Sequence, residues 1–200
     1  MKDIVILGGG GHAKSCIDVI SHNKKYSILG INDPNLLESP FSNIPLLNES
    51  LEDIFSKNER IFLGIGFIKD PIPRKQLIDQ IQAIGFVTPS FVSPYAYSSP
   101  NAEISEGTII MHKALVNTHV RLGSFSIINT MALIEHDVQI GSNCHISTGA
   151  IVNGGSSIGS NTFIGSNAVI GNNVSVGENC IVQAGAFLNR NLSNNEIYKI

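Results

Sequence analysis

From residue 104 to residue 188 an apolar side chain returns at every sixth position without a slip: Ile104, Ile110, Val116, Leu122, and so on through Val182 to Leu188. The position two before each is small or β-branched, from Ala102 and Thr108 to Cys180 and Ala186. A period of six is neither the 3.6 of a helix nor the alternation of a strand, so it describes a larger unit. Three short strands joined by tight turns make a triangular coil in which six residues form one side. The aliphatic residue points inward, the small one sits at the corner, and fifteen hexads make five coils. Stacked as strands stack, each coil adds roughly 4.8 Å. Gly123, Gly141, Gly159, Gly165, Gly171 and Gly177 follow the aliphatic position, where unusual turn dihedrals are expected. A disordered Gly/Ser/Asn segment would not keep this register. The expectation is an all-β parallel β-helix.

The rest of the chain differs. Residues 3–7, Asp-Ile-Val-Ile-Leu, form a strand that runs into Gly8, Gly9, Gly10 and Gly11, and residues 12–23 carry apolar side chains at helical spacing. Gly8, Gly10 and Ala13 fit G-x-G-x-x-G/A, and Asp33 lies twenty residues further on, after a strand over 27–31. Backbone N–H groups at a helix N-terminus suit a diphosphate, and the acid suits a ribose hydroxyl. A further strand over 60–65 ends at Gly64-Ile65-Gly66, a helix spans 73–84, and residues 86–92 read as a last strand. Four parallel strands in about ninety residues make a truncated Rossmann-like α/β domain, expected over 1–93 and followed by the β-helix over 94–200. It is too small for a complete dinucleotide site, which favours a mononucleotide or nucleotide sugar over NAD.

A net charge of −3 offers no footprint for nucleic acid or an anionic membrane. No apolar run reaches membrane-spanning length and the N-terminus does not read as a signal peptide, so a cytoplasmic location is expected. Cys16, Cys144 and Cys180 have no metal-ligand spacing. Cys144 and Cys180 lie two coils apart, roughly 9.6 Å at strand spacing and beyond disulfide reach.

Between 104 and 188 the only charged side chains are Glu106, Lys113, Arg121, Glu135, Asp137 and Glu178, and two of the four acids flank His136. A histidine held by a carboxylate can take a proton at its other nitrogen near neutral pH, which is general-base chemistry. Gly154 lies eighteen residues on, one coil above His136 at the same corner, where its N–H can face an acyl carbonyl. His145 lies half a coil further round. His112 and His119 read as surface or interface residues.

These elements together resemble the PglD/NeuD family of bacterial sugar acetyltransferases. The residues concerned are Gly8 to Lys14, Asn129-Thr130-Met131-Ala132-Leu133-Ile134-Glu135-His136, and Gly141-Ser142-Asn143-Cys144-His145-Ile146-Ser147-Thr148-Gly149-Ala150. The resemblance implies a left-handed hexapeptide-repeat β-helix, with His136 as base and Asp137 orienting it. It implies His145 and Gly154 toward acetyl-CoA, and a nucleotide-linked amino sugar at Gly8, Gly10, Gly11, His12, Asp33, Gly64 and Gly66. It also implies a homotrimer, no metal, and a place in surface polysaccharide biosynthesis. The family's Gly-x-Pro-Ala tail, which helps cover the coenzyme, has no counterpart in the last residues. The reading is N-acetylation of a UDP-linked 4-amino-deoxy sugar by acetyl-CoA. The alternatives are O-acetylation of a sialic-acid-type sugar, an NAD-dependent reductase and a non-catalytic β-helix scaffold. The scaffold leaves the acids around His136 unexplained.

Overall fold

The computed structural model describes residues 1–199, which form two compact units: residues 1–66 with 76–89, and residues 67–75 with 90 onward. The first is built on a parallel sheet in the order β2-β1-β3, with β1 at Lys2–Leu7, β2 at Tyr26–Asn32 and β3 at Ile61–Leu63. Ile4, Val5, Ile6 and Leu7 are buried, as a β-branched run in a sheet covered by helices requires. Helix α1 (Gly11–Ser21) buries Ala13, Cys16, Ile17, Val19 and Ile20. Helix α2 (Leu51–Lys57) is capped by Ser50, whose hydroxyl accepts the Asp53 N–H at 3.1 Å. Helix α3 (Ile72–Ile84) stops at Gly85, which has a φ of 92°.

The fourth strand expected over 86–92 is divided instead. Val87 makes one bridge with Arg60, and Phe91–Val92 pairs with Ile109–Ile110 as the first rung of the β-helix. Pro89, which has no N–H for a ladder, lies between them.

In the second unit, two-residue strands stack in three parallel sheets of seven, six and five strands, each residue paired with the one eighteen further on except at the last rung, where Ile181 pairs with Ile197. The prism is longer than the hexads marked out: it begins at Phe91–Val92 and adds Ile197–Tyr198 beyond Leu188. Inward aliphatic residues from Ile110 to Leu188 form one continuous core. One corner is polar inside. Thr108, Ser126, Cys144, Thr162 and Cys180 are fully buried, and each donates to a carbonyl of the next level at 2.9–3.1 Å. The hydroxyls of Thr108, Ser126 and Thr162 accept the N–H one coil above. Burial pushes the Cys144 thiol up to about 12, so it remains a donor.

A residue with positive φ occurs at every sixth position from Gly107 to Gly185, so each corner has one left-handed residue. Asn fills many of these places, but Lys113, His119, Phe125, Met131 and Asp137 fill five in succession. The glycines that follow the aliphatic position serve another purpose. Gly123 and Gly159 have no positive φ, but a Cβ on either would lie 2.5 Å from the backbone of the coil above.

The outer faces of the three sheets differ in chemistry. The seven-stranded sheet presents Phe91, Ile109, Ile127, His145 and Phe163, all buried. The five-stranded sheet presents Glu103, Arg121, Gln139, Ser157 and Ser175. The six-stranded sheet presents an unbroken apolar row, Tyr97, Leu115, Leu133, Ile151, Val169 and Phe187, with Tyr97 55% and Phe187 60% exposed.

Replacing Gly159 with Ala forces adjacent coils apart and should lower stability by about 3 kcal/mol in urea unfolding. Gly10→Ala, whose Cβ meets nothing within 4 Å at a φ of −73°, should leave stability within about 0.5 kcal/mol of the parent.

Candidate active site and sugar-nucleotide cleft

The ends of β1, β2 and β3 and the start of α1 enclose a cleft of about 600 Å³, lined by Gly8, Gly10, Gly11, His12, Asp33, Gly64 and Gly66 among others. These are the seven residues the sequence picked for a sugar nucleotide, and their parts differ. Gly8 holds a φ of 96° while its N–H donates to Asn32 O at 2.9 Å. Gly64 is closely packed, since a Cβ there would come 3.0 Å from Ala13 Cβ. Gly66 lies against the His12 ring, and the His12 Nε2 is 3.4 Å from the buried Cys16 Sγ. At Gly10 and Gly11 a Cβ would meet no atom within 4 Å, so neither is glycine for internal packing, and Gly10 caps α1 without a side-chain bond.

Asp33 is engaged within the protein. Its Oδ2 accepts the Gly9 N–H at 2.9 Å, and its Oδ1 accepts the Asn35 N–H at 3.0 Å and Asn35 Nδ2 at 3.2 Å. Partial burial works to raise its pKa, but the bonds from Asn35 and Gly9 outweigh it and hold the carboxyl below its ordinary value.

On the prism, His136 follows the Leu133–Ile134 strand at a corner, with its side chain 58% exposed. Its Nδ1–H donates to Asp137 Oδ2 at 2.9 Å, which leaves Nε2 as the acceptor. Asp137 is also the left-handed corner residue, with a φ of 62°, so it has a turn role the sequence reading did not give it. Gly154 lies one coil above, where a Cβ would come 2.7 Å from His136 Nε2 and Cε1. Glu135 is held from the coil below by Asn117 Nδ2 at 2.9 Å, a pair eighteen residues apart that the period could have disclosed.

His145 lies apart from this corner, on the seven-stranded sheet, and is only 7% exposed. Its Nδ1–H donates to Phe67 O at 2.8 Å and its Nε2 accepts from Asn129 Nδ2 at 3.0 Å, so both ring nitrogens are occupied. Phe67 and Phe163 pack edge-on against the ring, and the buried Arg74 donates to Asn143 nearby. The segment 67–75 that covers His145 carries no sequence signal linking it to the prism. His112, read as a surface or interface residue, is half-buried, with Ser93 Oγ 2.5 Å from its Nδ1 and Tyr95 against its ring. His119 is an exposed corner residue. Among the described residues no three His, Cys, Asp or Glu side chains gather in a way that could hold a metal ion, and no helix is long and apolar enough to cross a membrane.

Residues 3–81 match the PglD N-terminal domain, and residues 155–190 match the bacterial transferase hexapeptide, six repeats. The acetyltransferase domain of PglB from Neisseria gonorrhoeae is 25% identical, with 98% of this chain and 96% of that one covered and a TM-score of 0.88. The chain is similar in sequence and fold to the PglD-like hexapeptide acyltransferases. A second PglB structure of this domain holds acetyl coenzyme A, with 26% identity, 98% and 95% coverage and a TM-score of 0.89. PerB from Caulobacter crescentus, in complex with CoA and GDP-perosamine, is 29% identical over 98% of this chain and 93% of that one, with a TM-score of 0.87. No curated protein sequence matches significantly. The chain thus has the α/β region and the parallel β-helix that the resemblance led one to expect.

Burial lowers the His145 pKa to about 4; the bond to Phe67 O opposes this and the charge of Arg74 adds to it. The folded state therefore holds His145 neutral, with full benefit above the unfolded value near 6.5 and loss as pH falls toward 4. Between pH 7 and 5 this costs about 2 kcal/mol in urea unfolding, and His145→Gln should remove most of that pH dependence.

Proposed function

We propose that the protein transfers the acetyl group of acetyl-CoA to the amine of a 4-amino-deoxy sugar carried on a nucleoside diphosphate, UDP in the first instance. The observation that carries this reading is the His136–Asp137 pair, with the free His136 Nε2 placed over Gly154. Asp137 holds the ring in the tautomer that leaves Nε2 unprotonated. As the sugar nitrogen bonds to the thioester carbon, His136 Nε2 takes the proton from nitrogen and the thiolate of CoA leaves. The Gly154 N–H stands at the same corner, where it would donate to the oxygen that gains charge. Absence of a side chain at Gly154 gives the ring and the acyl group room. The cleft beside Gly10 and Gly11 is the place for the diphosphate, with N–H groups at the start of α1 toward it. Acetyl-CoA and activated sugars are cytoplasmic metabolites, which is where this reaction belongs, in the making of surface glycans.

The site needs a neighbouring chain. His136 is exposed at an edge of the apolar six-stranded face, and such a face is covered in a stable protein. Three copies packed through this face around a three-fold axis cover it and give His136 an opposite wall.

His136→Ala should lower kcat by about 10²- to 10⁴-fold with unchanged circular dichroism. Gly154→Ala displaces the ring and should also lower kcat. In the double variant, a rate equal to that of His136→Ala assigns the whole Gly154 effect to the ring, and a further loss assigns the remainder to the acyl group.

Light scattering should give about 65 kDa, three chains of 21.5 kDa. Ile151→Glu, in the middle of the apolar face, should yield inactive monomers; an active monomer would refute the shared site.

A further inference from the structure

In a Rossmann-like unit an acidic residue at the end of the second strand ordinarily meets the ribose hydroxyls. Here the two polar side chains at that place are both turned onto the protein's own backbone. Asn32 Nδ2 donates to Glu49 O at 3.0 Å, and its Oδ1 accepts the Glu49 N–H at 2.9 Å. Asp33 Oδ2 holds the Gly9 N–H, while Oδ1 holds Asn35 twice. Packing reinforces the bond to Gly9, since a Cβ on Gly9 would lie 2.3 Å from Leu36 Cδ1 and 3.3 Å from Ile31 Cγ2. Gly9 is thus clamped from the Asp33–Leu36 turn. Gly10 and Gly11, the next two residues, are the ones open to the cleft. The rest of the lining is mostly apolar, with Leu7, Pro34, Leu51, Ile65 and Leu77 beside the polar His12, Asn35 and Gln80, and the Asn35 amide is itself bonded to Asp33.

We propose that Asp33 is a positioning residue that fixes the glycine loop, so that the cleft takes 2′-deoxyribose sugar nucleotides as readily as ribose ones. This rests on the cleft being the sugar-nucleotide site. The carboxylate acts on the diphosphate through the Gly9 N–H, which sets the direction of the following amides. A ribose 2′-hydroxyl at this place meets a carboxylate both of whose oxygens already accept N–H groups of the protein. The substrate class therefore includes deoxythymidine diphosphate amino sugars beside uridine or guanosine ones.

The test is calorimetric binding to the full-length protein of two matched pairs, UDP with dUDP and GDP with dGDP, followed by KM and kcat with amino sugars on the base that binds. Within the binding pair, the ribose and deoxyribose forms should agree within about threefold in Kd and KM. A charge-assisted bond from Asp33 to the 2′-hydroxyl would instead weaken the deoxy form about tenfold or more, and that result overturns the proposal. Asp33→Ala should raise KM for both forms by the same factor with kcat little changed. Asp33→Asn, which retains an oxygen acceptor for Gly9, should recover part of the loss. An Asp33→Ala effect confined to the ribose form also overturns the proposal. The wild-type comparison stands even if either variant unfolds. Failure of all four nucleotides to bind removes the sugar-nucleotide reading together with the proposal, whereas selective loss of the deoxy forms removes only the proposal.

Discussion

Everything in the second unit depends on one repeated interaction, the parallel backbone bond between a residue and the coil above it. Leu115 N–H to Ala132 O, Leu133 N–H to Ala150 O and Ile151 N–H to Ala168 O are successive rungs of the same ladder. Because each rung advances the pairing by eighteen residues, side chains eighteen apart are vertical neighbours and those six apart share a role on adjacent sides. The core, the corners and the three outer faces all follow from that spacing. Strands of two residues could not stand alone, and the stack stabilises them collectively, as in other solenoids.

The proposed chemistry uses this vertical order. His136 meets Gly154 and Glu135 meets Asn117 because each pair is one coil apart. A helix would bring together residues three or four apart. Here the acid and base, Asp137 and His136, come from one level and the Gly154 N–H from the next, each held by a corner that already has its backbone bonds. In the first unit the glycine loop is positioned through side chain and backbone together. Gly8 bonds to Asn32 O and Gly9 to the Asp33 carboxylate, both from the end of β2.

Periodicity made the prism legible, since an inward aliphatic residue at every sixth position tolerates few alternatives. The glycine loop and the His136 corner were legible too, because they break the composition around them: four glycines after a strand, and acids in a segment poor in charge. Other features have no local pattern. Nothing about Phe67 or Arg74 in sequence says that they lie against His145, so the enclosure of that ring, with both nitrogens bonded, could not be read in advance. The run over 86–92 looks like one strand, and only the pairing of Phe91–Val92 with Ile109–Ile110 shows that the two ends of the run belong to different sheets. The turn glycines were read for their dihedrals, whereas the left-handed residue lies two places later and the glycine is there because coils nearly touch.

The three unlike faces of the prism make its sequence behave as a frame with a step of eighteen. An extra residue within a strand would turn every later side chain out of line, bringing apolar side chains such as Val169 and Phe187 off their row and breaking the Thr108–Cys180 column. Length in such a chain can change at low cost in two ways, by a loop that leaves from a corner and returns to it, or by a whole coil. Relatives with taller or shorter prisms should therefore differ by multiples of one turn while their faces remain in phase.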